Sequence, residues 1–328
     1  MKALNLGLNV MLFSDNVSEE DEIFLKSNAA TKDLIMMGPD CGTAIVNGIP
    51  LGFANKISKG NIGIIAASGT GLQQVTCLID RWGAGVSQAI GTGGRDLSNK
   101  VGGSTMLACI DALAADNNTE VIVLISKPPS MDVANKVLER AAKTDKPVVV
   151  NFLGSTLEMP SDAGLTKAET LESAAHKAVQ LVGIEVQTPA RHLVTTEELI
   201  TLADKLSVSQ KYVRGLYSGG TFSYEAMILL TKMLGPIHSA APLVSEHKLD
   251  DPWQSSEHTI LDLGGDVFTR GRPHPMIDQR LRNERILQEA MDPESPLGKD
   301  LSKKEKDLIF KSIIELEEKI AKLKMSLK

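Results

Sequence analysis

Ile62-Gly63-Ile64-Ile65-Ala66-Ala67-Ser68-Gly69-Thr70-Gly71 is the stretch whose reading decides the fold. Its first five residues form a short apolar run of the kind that fills a strand buried on both faces. The Ser-Gly-Thr-Gly that follows breaks the run, and residues 71–81 continue with helical spacing. Strand, glycine-rich turn and helix together are the opening of a βαβ unit.

The same alternation runs outward from it. Apolar runs at 9–13, 86–90, 121–125 and 147–152 read as strands, with helices at 105–114 and 133–143 between them. This order predicts an α/β protein with a mostly parallel sheet. After Pro189 a second set begins: a helix at 196–206, a strand at 212–217, a helix near 224–234 and a strand at 259–263. Its punctuation mirrors the first set. Ser218-Gly219-Gly220-Thr221 matches Ser68-Gly69-Thr70, and Leu263-Gly264-Gly265-Asp266 matches Gly91-Thr92-Gly93-Gly94-Arg95-Asp96. We read this as an internal duplication of one α/β unit. Beyond Asp292-Pro293 the alternation stops. There Ile309, Ile313, Leu316, Ile320, Leu323 and Leu327 recur in steps of four and three, an amphipathic heptad helix that either docks on its own domain or pairs with a partner.

Composition narrows the class. Apolar residues make up 42% of the 328 and charged residues 23%, so the chain is globular rather than disordered. The net charge of −6, with no basic block before the tail, excludes a nucleic-acid stripe. No run approaches the roughly 18 apolar residues of a membrane span, and no signal peptide opens the sequence. Cys41, Cys77 and Cys109 have no metal-ligand spacing and read as buried thiols of a reducing compartment. A cytoplasmic protein without a metal site is expected.

Both glycine-rich turns sit where a strand feeds a helix, so backbone N–H groups and the positive end of the helix dipole can meet an anion. Ser68, Gly69, Thr70 and Gly71 form one candidate phosphate cradle, and Ser218, Gly219, Gly220 and Thr221 the other. A Ser or Thr at such a place also serves simply as a helix cap. Gly93 and Gly94 lie beyond the end of another strand, where parallel sheets bind ligands. Arg95 can grip a carboxylate or phosphate, or pair with Asp96 or a neighbouring acid. Lys127, in Ser126-Lys127-Pro128-Pro129, ends at the same edge. In Thr269-Arg270-Gly271-Arg272-Pro273-His274-Pro275, Arg272 could hold an anion and His274 could act as acid or base, or close a loop by hydrogen bonding. There is neither a Walker A loop nor a complete G-x-G-x-x-G.

Met37-Gly38-Pro39-Asp40-Cys41-Gly42-Thr43-Ala44-Ile45, residues 62–71, SQAIGTGGRDLS at 87–98, LISKPP at 124–129, the 218–221 turn and GRPHPMID at 271–278 closely resemble the FdrA family. FdrA proteins are in turn similar to the succinyl-CoA synthetase α-subunit. The resemblance implies flavodoxin-like ligase domains. Residues 1–58 would be the remnant of an N-terminal CoA-binding-like domain and 59–188 the first ligase-like domain. Residues 189–293 would be a second, incomplete one, and 294–328 the heptad helix.

The resemblance also implies a subunit of an oxamate carbamoyltransferase of allantoin breakdown, which converts oxalurate and phosphate to oxamate and carbamoyl phosphate. Phosphate, carbamoyl phosphate, oxamate and oxalurate would be its small anionic partners, with no cofactor required. The synthetases' phosphohistidine motif is missing from Asn151-Phe152-Leu153-Gly154-Ser155-Thr156, which favours this reading. The alternatives are a succinyl-CoA-synthetase-like acyl-CoA synthetase using CoA and ATP, and a non-catalytic scaffold or regulatory subunit. A homo-oligomer, or a hetero-oligomer with other pathway subunits, is expected, because a half-built sheet leaves edges to be covered.

Overall fold

Residues 59–66 form the central strand of a seven-stranded sheet, and their last five residues are buried. The chain is described here by a computed structural model over residues 1–159, 164–186 and 195–295. It divides into two units, Met1–Arg191 and His192–Lys328. The first begins with α1 (Lys2–Asn5), β1 (Val10–Met11), α2 (Glu19–Ala30), β2 (Met36–Met37), β3 (Thr43–Val46) and β4 (Ile49–Gly52). It continues with β5 (Lys59–Ala66), α3 (Gly69–Arg81), β6 (Val86–Gly91), α4 (Ser104–Ala115), β7 (Val121–Ser126), α5 (Met131–Ala141), β8 (Val148–Phe152), β9 (Leu165–Lys167) and α6 (Leu171–Leu181).

The sheet order is β4-β3-β6-β5-β7-β8-β9, with β5 to β9 all parallel. Counted from β5, this is the flavodoxin-like order 2-1-3-4-5. Right-handed crossovers in opposite directions from β5 put helices on both faces. The pair α3–α6 packs together on one face and α4–α5 on the other. In α3 the buried stripe is Leu72, Val75, Leu78 and Ile79, and Gly83 at φ +84° stops the helix. Ala174 and Ala178 of α6 are buried and small, so α6 can lie close to α3.

Residues 1–58 belong to the same unit as the main sheet. Antiparallel pairing of β3 with β6 carries the β3–β4 hairpin onto its edge. The run expected as a strand at 9–13 shrinks to β1, which among the described residues pairs with β2 alone. Helix α2 was not expected from the sequence, because its inward stripe is Glu22, Lys26 and Ala29 rather than apolar. Lys26, 2% exposed, lies 2.7 Å from Asp96, which is fully buried, and 3.0 Å from Glu22. It also donates to the Thr92 carbonyl. Asp96 accepts from the N–H groups of Thr105 and Met106, so it caps α4 from a distance where Gly103 offers no side chain.

The second unit holds α7 (Thr196–Ala203), β10 (Arg214–Tyr217), α8 (Gly220–Leu234), a 3₁₀ turn at Ser245–His247, β11 (Thr259–Asp262), α9 (Asp266–Thr269) and α10 (Arg280–Met291). Among the described residues its sheet is the parallel pair β10–β11, with His238 bridging to Thr259 beyond it. Tyr217, Met227 and Ile260 pack on the α8 side; Leu216, Leu261, Leu263, Phe268 and Leu281 form a separate core. The side chains of Arg214 and Arg285 are buried and share Glu289 at 3.1 and 3.0 Å. The heptad positions of the expected C-terminal helix and His192 lie outside the described residues. No described helix is long and apolar enough to cross a membrane.

Breaking a buried ion pair by removing one partner strands the other charge, at a cost of about 3–5 kcal/mol. Asp96→Ala is therefore expected to lower the stability of the first unit by that amount in urea unfolding. An unchanged midpoint would show that the Lys26–Asp96 pair does not anchor α2 and α4.

Candidate functional site

The parallel strands β5 to β9 of the seven-stranded sheet deliver their C-terminal ends to one edge. Ala66 is in register with Gly91 on one side and Ile125 on the other, so Ser68, Thr92 and Lys127 leave the sheet at one level. The Ala67 N–H donates to the Ile125 carbonyl and the Thr92 N–H to the Ala66 carbonyl, which fixes that alignment. The switch point of the flavodoxin order falls between β5 and β7, the place where such sheets bind ligands. The 68–71 turn follows one of these two strands and Lys127 the other.

Ser68 is the N-cap of α3: its Oγ accepts from the Gly71 N–H at 2.9 Å. The capping role weighed for this serine is thus realised. Gly69 and Thr70 occupy the first turn, whose N–H groups have no partner within the helix. A Cβ on Gly69 would meet only Thr43 Oγ1, at 3.7 Å, so the space over this turn is open. Lys127 is exposed. The local donor set is N–H, hydroxyl and ammonium, which suits an anion.

The 91–96 turn is organised differently. Gly93 has φ +91°, and a Cβ there would lie 2.3 Å from the Pro39 carbonyl oxygen, so this glycine serves close packing on the 38–40 turn. Gly94 faces Asp40. Arg95 pairs through Nε with Glu22 at 2.9 Å and through Nη2 with the Val17 carbonyl at 2.8 Å, with 43% of its side chain exposed. It is tied to α2, not to Asp96. Cys41, beneath the same turn, is held protonated at neutral pH, since burial and then Asp40 push its thiol up to about 11. Burial raises Cys109 as well, so neither thiol behaves as a ready nucleophile.

In the second unit Tyr217 and Asp262 end their strands in register, and the Leu263 N–H donates to the Tyr217 carbonyl. The 218–221 turn repeats the position of the first but not its cap: Gly219 is the N-cap of α8, and Thr221 is buried. His274 lies over Gly264. A Cβ on Gly264 would sit 2.4 Å from His274 Nε2 and 3.2 Å from Asp262 Oδ1, so the ring and the carboxylate share one glycine shelf. The Met276 N–H donates to His274 Nδ1 at 3.2 Å, which leaves Nε2 to carry the proton in the neutral ring. Arg272 is turned elsewhere, 5.1 Å over the Trp253 ring and 3.6 Å from Glu284.

Sequence reasoning missed Asp262, Lys26 and Glu22. Asp262 was legible as the last residue of a strand ahead of a Gly-Gly turn; the other two lie on a helix with no apolar signature. His176 packs edge-on against Trp82, and among the described residues no three His, Cys, Asp or Glu side chains could hold a metal.

The comparisons with known proteins bear on what such a parallel sheet carries here. Residues 57–154 match the CoA binding domain and residues 216–296 the CoA-ligase family. The CoA-binding match spans β5 to β8. The uncharacterized protein YahF of Escherichia coli (strain K12) is 50% identical over 293 residues, 89% of this chain. The chain spans 57% of that relative's length. The α-subunit of an ADP-forming succinate–CoA ligase from Staphylococcus epidermidis (RP62A) is 23% identical over 218 residues, 62% of this chain and 68% of that subunit. A solved dinucleotide-forming acetyl-coenzyme A synthetase 1 of Ca. Korarchaeum cryptofilum, with phosphate and ADP, covers 70% of this chain and 50% of its own. At 15% identity and a TM-score of 0.44, it lends no residue correspondence. Two segments of the chain thus match the CoA binding domain and the CoA-ligase family, and the chain is similar to succinyl-CoA synthetase α-subunits. These matches favour the acyl-CoA synthetase expectation; none supports carbamoyl transfer or allantoin breakdown, and the FdrA resemblance rests on motifs alone.

Gly264→Ala forces the His274 ring off its shelf while leaving the strands intact. We expect a large shift of the His274 ring resonances in NMR with an unfolding midpoint close to that of the parent. Unmoved resonances would refute the packing of His274 on Gly264.

Proposed function

We propose that the chain is an FdrA-like, succinyl-CoA-synthetase-type acyl-CoA ligase subunit that uses CoA and ATP. What supports this reading is the match of residues 57–154 to the CoA binding domain, together with an open helix N-terminus and an exposed lysine that follow neighbouring strands of that sheet. The N–H groups of Gly69 and Thr70, the Thr70 hydroxyl and the Lys127 ammonium would hold a phosphate group there. Ser68 and Gly71 would keep the turn in shape, and Gly93, Gly94 and Arg95 would seat the neighbouring loop. CoA would supply the thiol that accepts the acyl group, and ATP the phosphoryl group that activates it. In the second unit, His274 beside Asp262 is the candidate acid–base group. The 218–221 turn is a second cradle, with Arg272 at its margin. Three free cysteines suit a reducing, cytoplasmic setting.

Carbamoyl transfer from oxalurate to phosphate is the second reading. It is favoured by one feature: the residues after β8, Leu153-Gly154-Ser155-Thr156, contain no histidine to relay a phosphoryl group.

Calorimetric titration with CoA and with ATP distinguishes the two readings. The first expects both to bind, with CoA weakened about tenfold or more by Lys127→Ala, the equivalent of one charge-assisted hydrogen bond. Absence of binding by either would overturn it. Formation of carbamoyl phosphate from oxalurate and phosphate, without CoA binding, would put the second reading in its place.

A further inference from the structure

Trp253 lies in the loop before β11, and its backbone is held at both ends. Its N–H donates to Asp251 Oδ1 at 2.9 Å. Its carbonyl accepts from Gln288 Nε2 at 2.8 Å and from Arg285 Nη1. The Arg285 side chain is only 1% exposed, and its Nη2 donates to Ser255 Oγ and Glu289 Oε1. A buried guanidinium is costly unless its hydrogen bonds are made, so it sets tight conditions on the groups that receive them. Arg285 and Gln288 therefore fix the backbone of Trp253 relative to α10.

From that fixed point the indole reaches both parts of the His274 site. It packs with the core of Leu261, Leu263 and Phe268, its ring 5.0 Å from that of Phe268 in an edge-on contact. Leu263 stands between Asp262 and Gly264, so this contact supports the glycine shelf from the core side. Arg272 lies over the same indole, 5.1 Å from the ring centroid, where the ring quadrupole attracts a cation. The other ion pair of Arg272, with Glu284, is long at 3.6 Å and exposed at both ends, so it holds little.

The link from Arg272 to His274 is stiff. Pro273 and Pro275 fix their own φ, and each restricts the residue before it, which is Arg272 in one case and His274 in the other. The Arg272 N–H donates to the Thr269 carbonyl at 2.9 Å. The N–H groups of Ile277 and Asp278 donate to the His274 carbonyl at 2.8 and 3.0 Å. With so few free torsions, the place of Arg272 on the indole decides where the His274 ring falls.

We propose that Trp253 is the positioning residue of the His274 site. One side of its indole supports the Gly264 shelf, and the other holds the His274 loop through Arg272. Together these contacts keep Nδ1 on the Met276 N–H and the proton of the neutral ring on Nε2. The inference rests on the reading of His274 as an acid–base group, and it gives that group one orientation from which to act.

The test uses the full chain, isotope-labelled at histidine, and long-range proton–nitrogen correlation spectra of the neutral ring. In the parent we expect a single His274 tautomer, protonated on Nε2. Arg272→Ala removes an exposed side chain and should leave the unfolding midpoint unchanged. It is expected to abolish the tautomer preference, moving both ring nitrogens toward the averaged shifts of a free imidazole. Trp253→Leu should have the same effect, whereas Trp253→Phe, which keeps an aromatic face, should retain the parental pattern. The variant carrying both Trp253→Leu and Arg272→Ala should match Trp253→Leu alone, because the two changes break one contact. A His274 tautomer unmoved by Arg272→Ala, or an additive effect in the double variant, would overturn the proposal. Because the readout is the ring itself, absence of CoA and ATP binding would sink the ligase reading and not this arrangement.

Discussion

Strand β5 must be enclosed on four sides, and that requirement organises the first unit. Its apolar residues point to both faces, so helices must lie above and below; its two edges need backbone partners, so β6 and β7 must flank it. Enclosing one strand in this way with right-handed crossovers forces the chain to reverse direction across the sheet. That reversal creates the gap at the C-terminal edge between β5 and β7. The position of the 68–71 turn beside Lys127 follows from this topology. The open site is a consequence of burying a strand.

The neighbouring turn at 91–96 shows how similar residues can serve the opposite end. Gly-Thr-Gly-Gly-Arg-Asp looks like a ligand loop, yet three of its members are engaged by the protein. Gly93 lets the 38–40 turn approach, Asp96 holds Lys26 and the start of α4, and Arg95 holds Glu22. The buried contacts of Lys26 with Asp96 and Glu22 contribute little net stability over an apolar packing, but they are costly to mismatch. They therefore fix how α2 lies on α4 and keep this side of the edge closed. The open side, at β5 and β7, is left to an exposed lysine and to N–H groups of a helix start.

What was legible in the sequence follows the kind of force involved. Strands β5 to β8 and helices α3 to α5 announce themselves because burial on the sheet demands apolar residues at fixed spacing. Helix α2 was invisible, since its buried stripe is Glu22 and Lys26, and α10 likewise turns Arg285 and Glu289 inward. No periodicity of apolar residues can report a helix that buries charge. At the site, Ser68 and Lys127 were readable as neighbours because strand ends share an edge, whereas the partners of Arg95 and Arg272 were not. Glu22 is far away in sequence, and Trp253 and Glu284 are reached only through loop geometry.

The two turns that look like copies have diverged in a way that bears on both units. Ser68 spends its hydroxyl on the Gly71 N–H, so the first turn is a capped helix start with open space above Gly69. In the second, Gly219 stands at the cap position with no side chain, and the polar weight moves to the adjoining strand end, where Asp262 and His274 share the Gly264 shelf. A duplicated unit has no reason to keep the same chemistry twice once its surroundings differ. In the first unit the central strand is paired on both edges, and the rim beside it is built from a capped helix start; in the second the rim is built from a loop histidine held on a glycine shelf next to the last residue of β11.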